Sequence, residues 1–418
     1  MAFLRAPVPS RLTPLPPGAA GAPGSPAAPG GLLVANLLAQ IAYGLLAMTI
    51  CIPSMQQWGA QLGASQSVVG LTFSAYLVTY GAMQLLYGPV SDRRGRKTVL
   101  LTGLALAIVG SVAAALAPTI EVLIAARVLQ GAGTAAGAVV GRAMVQDLFQ
   151  GPERTRVMAW VGMAMGLCPP LATVIGGQLH VRLGWQANFV LMTAWGVLLW
   201  LAAWRGLPDR RPDPARQPSH WLRAMGQAYA RLAREPAFVL YALIVSSTAS
   251  TFYAFLAGAP IVLGSQGVGP DGIGWYIMVT PLSYILGNYL TTRWVRRLGE
   301  RRIMLIGQAV TVFGIVLMLG LALAGWHHPL AFALPLVFLG SGHGLLVPPA
   351  LAGTVGLLPA LAGAAAAVVG VMQQVLGAAG GYAVSLLTHE GAANLGWLML
   401  GIALVGVAAQ VMLRRLPR

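Results

Sequence analysis

Residues 88–97 read G-P-V-S-D-R-R-G-R-K, setting one carboxylate, Asp92, beside four cations, Arg93, Arg94, Arg96 and Lys97, within six positions. Apolar stretches flank this cluster on both sides. Each such charge costs roughly 2.5–3.5 kcal/mol at the centre of a membrane helix on insertion scales, so the cluster belongs at a membrane edge. Gly95 is placed to make a tight turn between two spans. Residues of this kind can pair ions and exchange protons. Other titratable groups in or beside the apolar stretches are few: Glu121 opens one stretch, Asp147 lies near the end of the same stretch, and His343 stands in L-G-S-G-H-G-L. His343 is the one membrane-embedded group that titrates near neutrality. Asp92, Glu121, Asp147 and His343 are thus the candidate proton carriers, and for His343 a neutral packing role between close helices is the competing reading. Arg127, in R-V-L-Q-G-A-G-T, also lies deep in an apolar stretch. A guanidinium there keeps its proton and needs acceptors or water. No nucleophile–base pair, metal-ligand spacing or phosphate loop appears, so the chain does not read as an enzyme and no cofactor is implied. Cys51 and Cys168 lie in apolar segments and suggest neither a disulfide scaffold nor a metal site.

The elements that position these groups are membrane helices. Of 418 residues, 57% are hydrophobic and 9% charged, against about 25% charged in an average soluble domain. Apolar segments of about 20 residues, enough to cross a bilayer, recur along the chain. The expected spans are 31–53, 67–90, 98–117, 121–145, 155–179, 187–205, 236–263, 272–292, 302–324, 330–352, 361–387 and 393–413. This is an all-α membrane protein of twelve transmembrane helices. The net charge of +16 does not form one soluble basic face, so nucleic acid is not the partner; the bilayer is. With both termini cytoplasmic, Arg93–Lys97, Arg154, Arg156, Arg205–Arg234, Arg293–Arg302 and Arg414–Arg418 all fall inside. Arg182 is then the only Arg or Lys outside, with His180, His327, His328 and His389. The basic surplus is therefore topology, the positive-inside asymmetry.

Residues 1–30, rich in Pro, Gly and Ala, read as a disordered cytoplasmic tail. The polar linker 206–235 separates an N-terminal six-helix bundle (31–205) from a C-terminal one (236–413), with 414–418 as a cytoplasmic end. The part from Trp221 to Arg234 suits a short amphipathic helix on the inner leaflet. A faint repeat relates the halves: G-R-K-T-V-L-L-T-G at 95–103 echoes G-E-R-R-I-M-L-I-G at 299–307. Two related bundles commonly hold a binding site between them near mid-membrane.

The loop at 88–97 resembles the signature loop of the major facilitator superfamily, G-x-x-x-D-R-x-G-R-[RK], matching at Gly88, Asp92, Arg93, Gly95, Arg96 and Lys97. Arg127, Gln130 and Gly131 are similar to its R-x-x-Q-G motif. The segment 162–177, with Cys168-Pro169-Pro170, resembles the antiporter motif of its drug-exporting branches. L-L-Y-G-P-V-S-D at 85–92, G-R-A-M-V-Q-D-L-F at 141–149, G-W-Q-A-N-F at 184–189, Gly340-x-Gly342 leading to Pro348, and Gly370-x-x-Gln373 resemble the bicyclomycin/chloramphenicol-resistance branch of drug/proton antiporters. The resemblance implies two pseudo-symmetric six-helix bundles, a gate at the 88–97 loop, and roles in the transport cycle for Arg127, Gln130, Gly131, Pro169 and Pro170. It assigns Asp92 to meeting the amino-terminal end of the eleventh helix, near 360–363, where no Lys or Arg competes and the helix dipole is the expected partner.

This chain also departs from the branch. Thr49 stands where the first span usually carries an acid, Gln186 follows Trp185 in place of Arg, and Pro349 follows Pro348 in place of Asn. No span interior holds an unambiguous Asp or Glu. Asn36, Gln40, Tyr43, Tyr76 and Tyr80 in the first half, and Tyr253, Tyr284, Asn288, Gln373 and Gln374 in the second, suit a cavity for an amphipathic solute. The expected function is secondary active transport in the inner membrane: proton-coupled export of small amphipathic compounds, drugs included, by a monomer working through alternating access. Export or import of one defined metabolite on the same fold, and facilitated diffusion without protons, are the competing readings.

Overall fold

The computed structural model describes residues 31–208, 221–387 and 392–416. The tail over 1–30, the linker stretch 209–220, His389 and the last two residues lie outside the described residues. Among the described residues every regular element is helical. The first half contains α1 (Gly31–Thr49), α2 (Met55–Gln61), α3 (Gln66–Arg94), α4 (Arg96–Ala115), α5 (Ile120–Leu148), α6 (Gly151–Leu183) and α7 (Gln186–Gly206). The linker helix α8 (Trp221–Ala233) leads to α9 (Pro236–Ser265), α10 (Pro270–Ile277), α11 (Val279–Leu298), α12 (Glu300–Leu323), α13 (Pro329–Ala333), α14 (Leu336–Gly356), α15 (Ala362–Ser385) and α16 (Ala393–Arg415). Large apolar side chains such as Val109, Leu183, Leu198, Phe313 and Leu404 are exposed. Such a surface belongs in lipid, so the chain is a multi-pass membrane protein.

Eleven helical stretches among the described residues are long and apolar enough to span a bilayer. The expected eighth span is the exception. It is split at Met278 into α10 and α11, and α11 ends with Arg293, Arg296 and Arg297. Pro281 has no N–H to give Ile277, which interrupts the ladder at the break. Pro53 likewise cannot donate to Thr49, where α1 ends, and Pro335 cannot donate to Ala331, where α13 gives way to α14.

The repeat seen in the sequence has a structural counterpart. Gly95 (φ 95°) turns α3 into α4, and Gly299 (φ 76°) turns α11 into α12. A positive φ strains any residue with a Cβ, so both turns call for glycine. Eight residues on, Gly103 lies against the Gly133 carbonyl of α5, as Gly307 lies against the Gly342 carbonyl of α14. Small residues let these helix pairs approach closely in lipid. α1 and α3–α7 pack on one another, and so do α9–α16.

The two halves meet along α3–α15 and α6–α10–α11. On the face opposite the basic clusters this seam is tight. Gly70 lies against Ser385, Gly177 against the Pro270 carbonyl, and Gly274 against Val174. Ser74 Oγ donates to the Ala378 carbonyl at 3.0 Å, and Gln56 Nε2 of α2 donates to the Pro260 carbonyl. The α2 segment is also tied to its own half: the Ser54 hydroxyl lies 2.9 Å from His180 Nδ1, and Asn188 Nδ2 donates to Ser54 Oγ at 3.1 Å. Contact continues to mid-helix, where Gly81 of α3 faces Gln374 of α15. Towards the basic face Gln84 of α3 still reaches Gly370 of α15, and a cavity opens between the halves beyond them.

Candidate functional site: the gate loop, the Arg127 cluster and the cavity between the halves

At the basic face, Arg96 gathers the gate loop. Its Nη1 lies 2.6 Å from Asp92 Oδ1 and its Nε 3.0 Å from Asp147 Oδ2, while Nη1 also donates to Ser91 Oγ at 2.6 Å. One guanidinium thereby ties together α3, α4 and α5. Arg93 and Lys97 flank it, half-buried, and Gly88 lies near Val139 of α5. The sequence expects Asp92 to meet the amino-terminal end of the eleventh span, near 360–363, when the gate closes. Asp92 and Gly363 border the same cavity, and in this structure the carboxylate is held by Arg96, four residues along its own chain.

Arg127 is fully buried, and its partners explain how a permanent charge is tolerated there. Nη1 donates to the Ala47 carbonyl at 2.9 Å and to Gln130 Oε1, and Nη2 to the Met48 carbonyl at 3.4 Å. Ala47 and Met48 are in the last turn of α1, whose final carbonyls lack helical donors and carry the negative end of the helix dipole. Arg127 therefore caps α1. Its guanidinium also lies 4.2 Å from the Tyr76 ring centroid, a favourable cation–π distance. Gln130 Nε2 donates to Ser111 Oγ at 2.8 Å, extending the cluster into α4. Gly131 allows α5 to approach the Tyr76 carbonyl and Thr79 of α3. Thr49, where the branch carries an acid, is buried and bonds the Leu45 carbonyl at 2.8 Å. The charge of Arg127 is balanced by a helix end and an amide, with no carboxylate partner among the described residues.

From Arg127 a line of aromatic and amide groups reaches the seam. Tyr76 donates to the Gly44 carbonyl at 2.7 Å and stacks on Tyr80 at 5.9 Å. Across the seam, Tyr253 donates to Gln374 Oε1 at 2.8 Å and meets Phe73 edge-on at 6.0 Å. Of the expected cavity residues, Tyr76, Tyr80, Tyr253 and Gln374 come together here. Asn36, Gln40 and Tyr43 do not: they donate to the Ala202, Leu199 and Met192 carbonyls. Their polarity fastens α1 to α7 inside one half, satisfying groups that lipid would leave bare. Asn288 donates within its own helix to the Tyr284 carbonyl at 3.1 Å, and Gln373 is half-buried beside Gln374. Pro169 and Pro170 sit in an unbroken α6, where Thr173 Oγ1 donates to both their carbonyls.

The candidate proton carriers are dispersed. Glu121 and Asp147 occupy opposite ends of α5, about 39 Å apart at 1.5 Å per residue. His343 is buried in α14, between the close approaches that Gly342 makes to α12 and Gly344 to α11, and its Nε2 has no protein partner among the described residues. Asp92 and Asp147 share Arg96 at the basic face, with Glu121 at the far end of α5 from them.

On the basic face the two halves enclose a cavity of about 530 Å3. Its wall includes Gln84, Asp92, Arg96, Arg142 and Gln146 from the first half and the start of α15 from the second. Met225 and Tyr229 of α8 complete it. The linker helix is present as expected, and its Leu232 is buried against the second half. Sequence reasoning missed Arg142, Phe73, Ser74 and Gly81. The basic residue inside the apolar 121–145 stretch was a signal for Arg142; no sequence pattern distinguishes the other three from ordinary packing residues.

The Major Facilitator Superfamily model matches residues 32–381. Multidrug resistance protein D of Escherichia coli (strain K12) is 29% identical over 385 residues, covering 89% of this chain and 94% of that protein. The chloramphenicol resistance protein of Pseudomonas aeruginosa is 29% identical over 367 residues, with 86% and 85% covered. Among solved structures, a D-xylose–proton symporter superposes with a TM-score of 0.71 at 14% identity, covering 92% of this chain and 98% of the other, a likeness of fold.

Proposed function

Because the chain belongs to the Major Facilitator Superfamily, we propose that it is a secondary transporter exporting small amphipathic compounds, drugs included, in exchange for protons. The basic face is cytoplasmic on this reading, both termini lie inside, the membrane is the inner one, and one chain suffices. The cargo crosses chemically unchanged. Residues 31–205 and 236–413 act as the two moving bodies, with 206–235 as their tether.

The observation that carries this reading is the asymmetry of the seam. The halves are sealed on one face through Ser74–Ala378 and Gly70–Ser385, and open on the other around a cavity sized for a small molecule. That is one end state of alternating access, ready to accept cargo from inside. Asp92, released from Arg96 as the halves close, then meets the α15 end. Relatives named for resistance to several drugs and to chloramphenicol support export of such compounds. Protons are the proposed driving ion, with His343 as the interior carrier and Asp92, Glu121 and Asp147 as peripheral ones.

A resistance and efflux screen in a host lacking its own pumps tests the proposal. Expression should raise tolerance to some amphipathic drugs and lower their accumulation, and an Asp92→Asn control should not. Tolerance unchanged across a chemically broad panel would remove the export reading.

A further inference from the structure

We propose that the cavity selects uncharged and anionic aromatic compounds over cationic ones, with Arg142 as the residue that recognises the anion. This rests on the export reading above and names the class of cargo.

The distribution of charge carries the inference. The chain has ten carboxylates. Each one among the described residues, namely Asp92, Glu121, Asp147, Glu153, Glu235, Asp271 and Glu300, lies at or beside a helix end. None stands within a helix core, whereas two guanidiniums, Arg127 and Arg142, do. Both terminal nitrogens of Arg127 are engaged, by the α1 end and Gln130. Arg142 is different. It is half-buried on the cavity wall, its Nε donates to the Ala138 carbonyl at 2.8 Å, and it makes no ion pair among the described residues. Its terminal nitrogens retain a fork suited to a carboxylate or sulfonate. Of the other charges there, Arg96 is shared between Asp92 and Asp147, so Arg142 is the cation on this wall that no carboxylate engages among the described residues.

A cargo cation entering here would meet Arg142, while the one carboxylate on the wall, Asp92, is already held by Arg96. An anion would gain a charge-assisted hydrogen bond, and an uncharged ring could use the apolar wall and Tyr229. The replacement of the branch's first-span acid by Thr49 fits the same preference, since it removes the negative group deeper along the route.

The test uses the full chain in lipid nanodiscs and three probes sharing one ring system: naphthalene-2-sulfonate, 2-naphthamide, and trimethyl(2-naphthyl)ammonium. Affinity is measured by calorimetry, and transport by counterflow in proteoliposomes. The sulfonate and the amide should each bind at least tenfold more tightly than the ammonium compound. Arg142→Gln should weaken the sulfonate at least tenfold more than the amide, and Arg142→Lys, which keeps the charge, should hold the order of the three. Ammonium binding equal to or tighter than the sulfonate, no sulfonate binding, or equal losses for all three probes in Arg142→Gln would each overturn the proposal. Counterflow separates the two readings. Transport of the ammonium probe alone leaves export standing and removes the charge preference; ordered binding with no counterflow supports Arg142 as the anion site and removes export.

Discussion

Replacing Arg127 by Ala should destabilise the first half as well as stop transport, and the size of that effect follows from its partners. The substitution strips donors from the Ala47 carbonyl, the Met48 carbonyl and Gln130 Oε1, all in the protein interior. An unsatisfied buried acceptor costs about 1–3 kcal/mol in soluble proteins. Interhelical hydrogen bonds in membranes average only about 0.6 kcal/mol by double-mutant cycles. Three lost partners then amount to about 2–5 kcal/mol, with the Tyr76 contact adding up to about 2 kcal/mol where it is desolvated. No stranded carboxylate adds to this, because none pairs with Arg127 among the described residues. Against a typical total stability of about 5–15 kcal/mol, such a loss is large but survivable. Arg127→Lys keeps the charge at the α1 end and can reach one carbonyl, so it should retain about half of the stabilisation and partial transport. The assay is denaturation of purified protein in detergent, alongside uptake normalised to folded protein. An Ala variant as stable and as active as the parent would refute the idea that Arg127 caps α1 and serves the transport cycle.

Asp92→Asn should cut transport sharply while changing stability by less than about 1 kcal/mol, since an exposed ion pair contributes little; normal uptake by that variant removes Asp92 from the gate. Gly95→Ala forces a Cβ into a φ of 95° at about 1–2 kcal/mol and should impair transport, whereas Gly162→Ala, with open space around it, should be tolerated; equal effects in a paired uptake assay would contradict this. Gly81→Leu should wedge α3 from Gln374 and favour opening on the far face, read as faster thiol labelling of a cysteine placed at Ser74. Unchanged labelling would mean that the seal does not depend on close approach at Gly81.

Much of the fold was legible in the sequence because lipid demands it: long apolar runs, basic residues confined to one side, and glycines at the turns of the repeat. Which prolines break helices was not. Pro89, Pro169, Pro170, Pro260, Pro348 and Pro349 lie inside helices that continue through them, while Pro53, Pro281 and Pro335 coincide with breaks, and packing against neighbours decides between the two outcomes. The gate loop could be located because its charges are costly anywhere but an edge. The cavity was harder to read. Asn36, Gln40 and Tyr43 look like lining groups by composition, yet each serves a carbonyl of α7. A polar side chain in a membrane helix either meets cargo or meets backbone, and only helix placement tells which.

Proton coupling remains to be tested on purified protein in liposomes, with the membrane potential clamped at zero and a compound picked out by the resistance screen as cargo. An acidic lumen should draw that compound inward against its own gradient, and collapsing the pH difference should release it. If His343 is the interior carrier, His343→Gln should lose the accumulation while still equilibrating the cargo. Accumulation indifferent to the pH difference would contradict proton antiport.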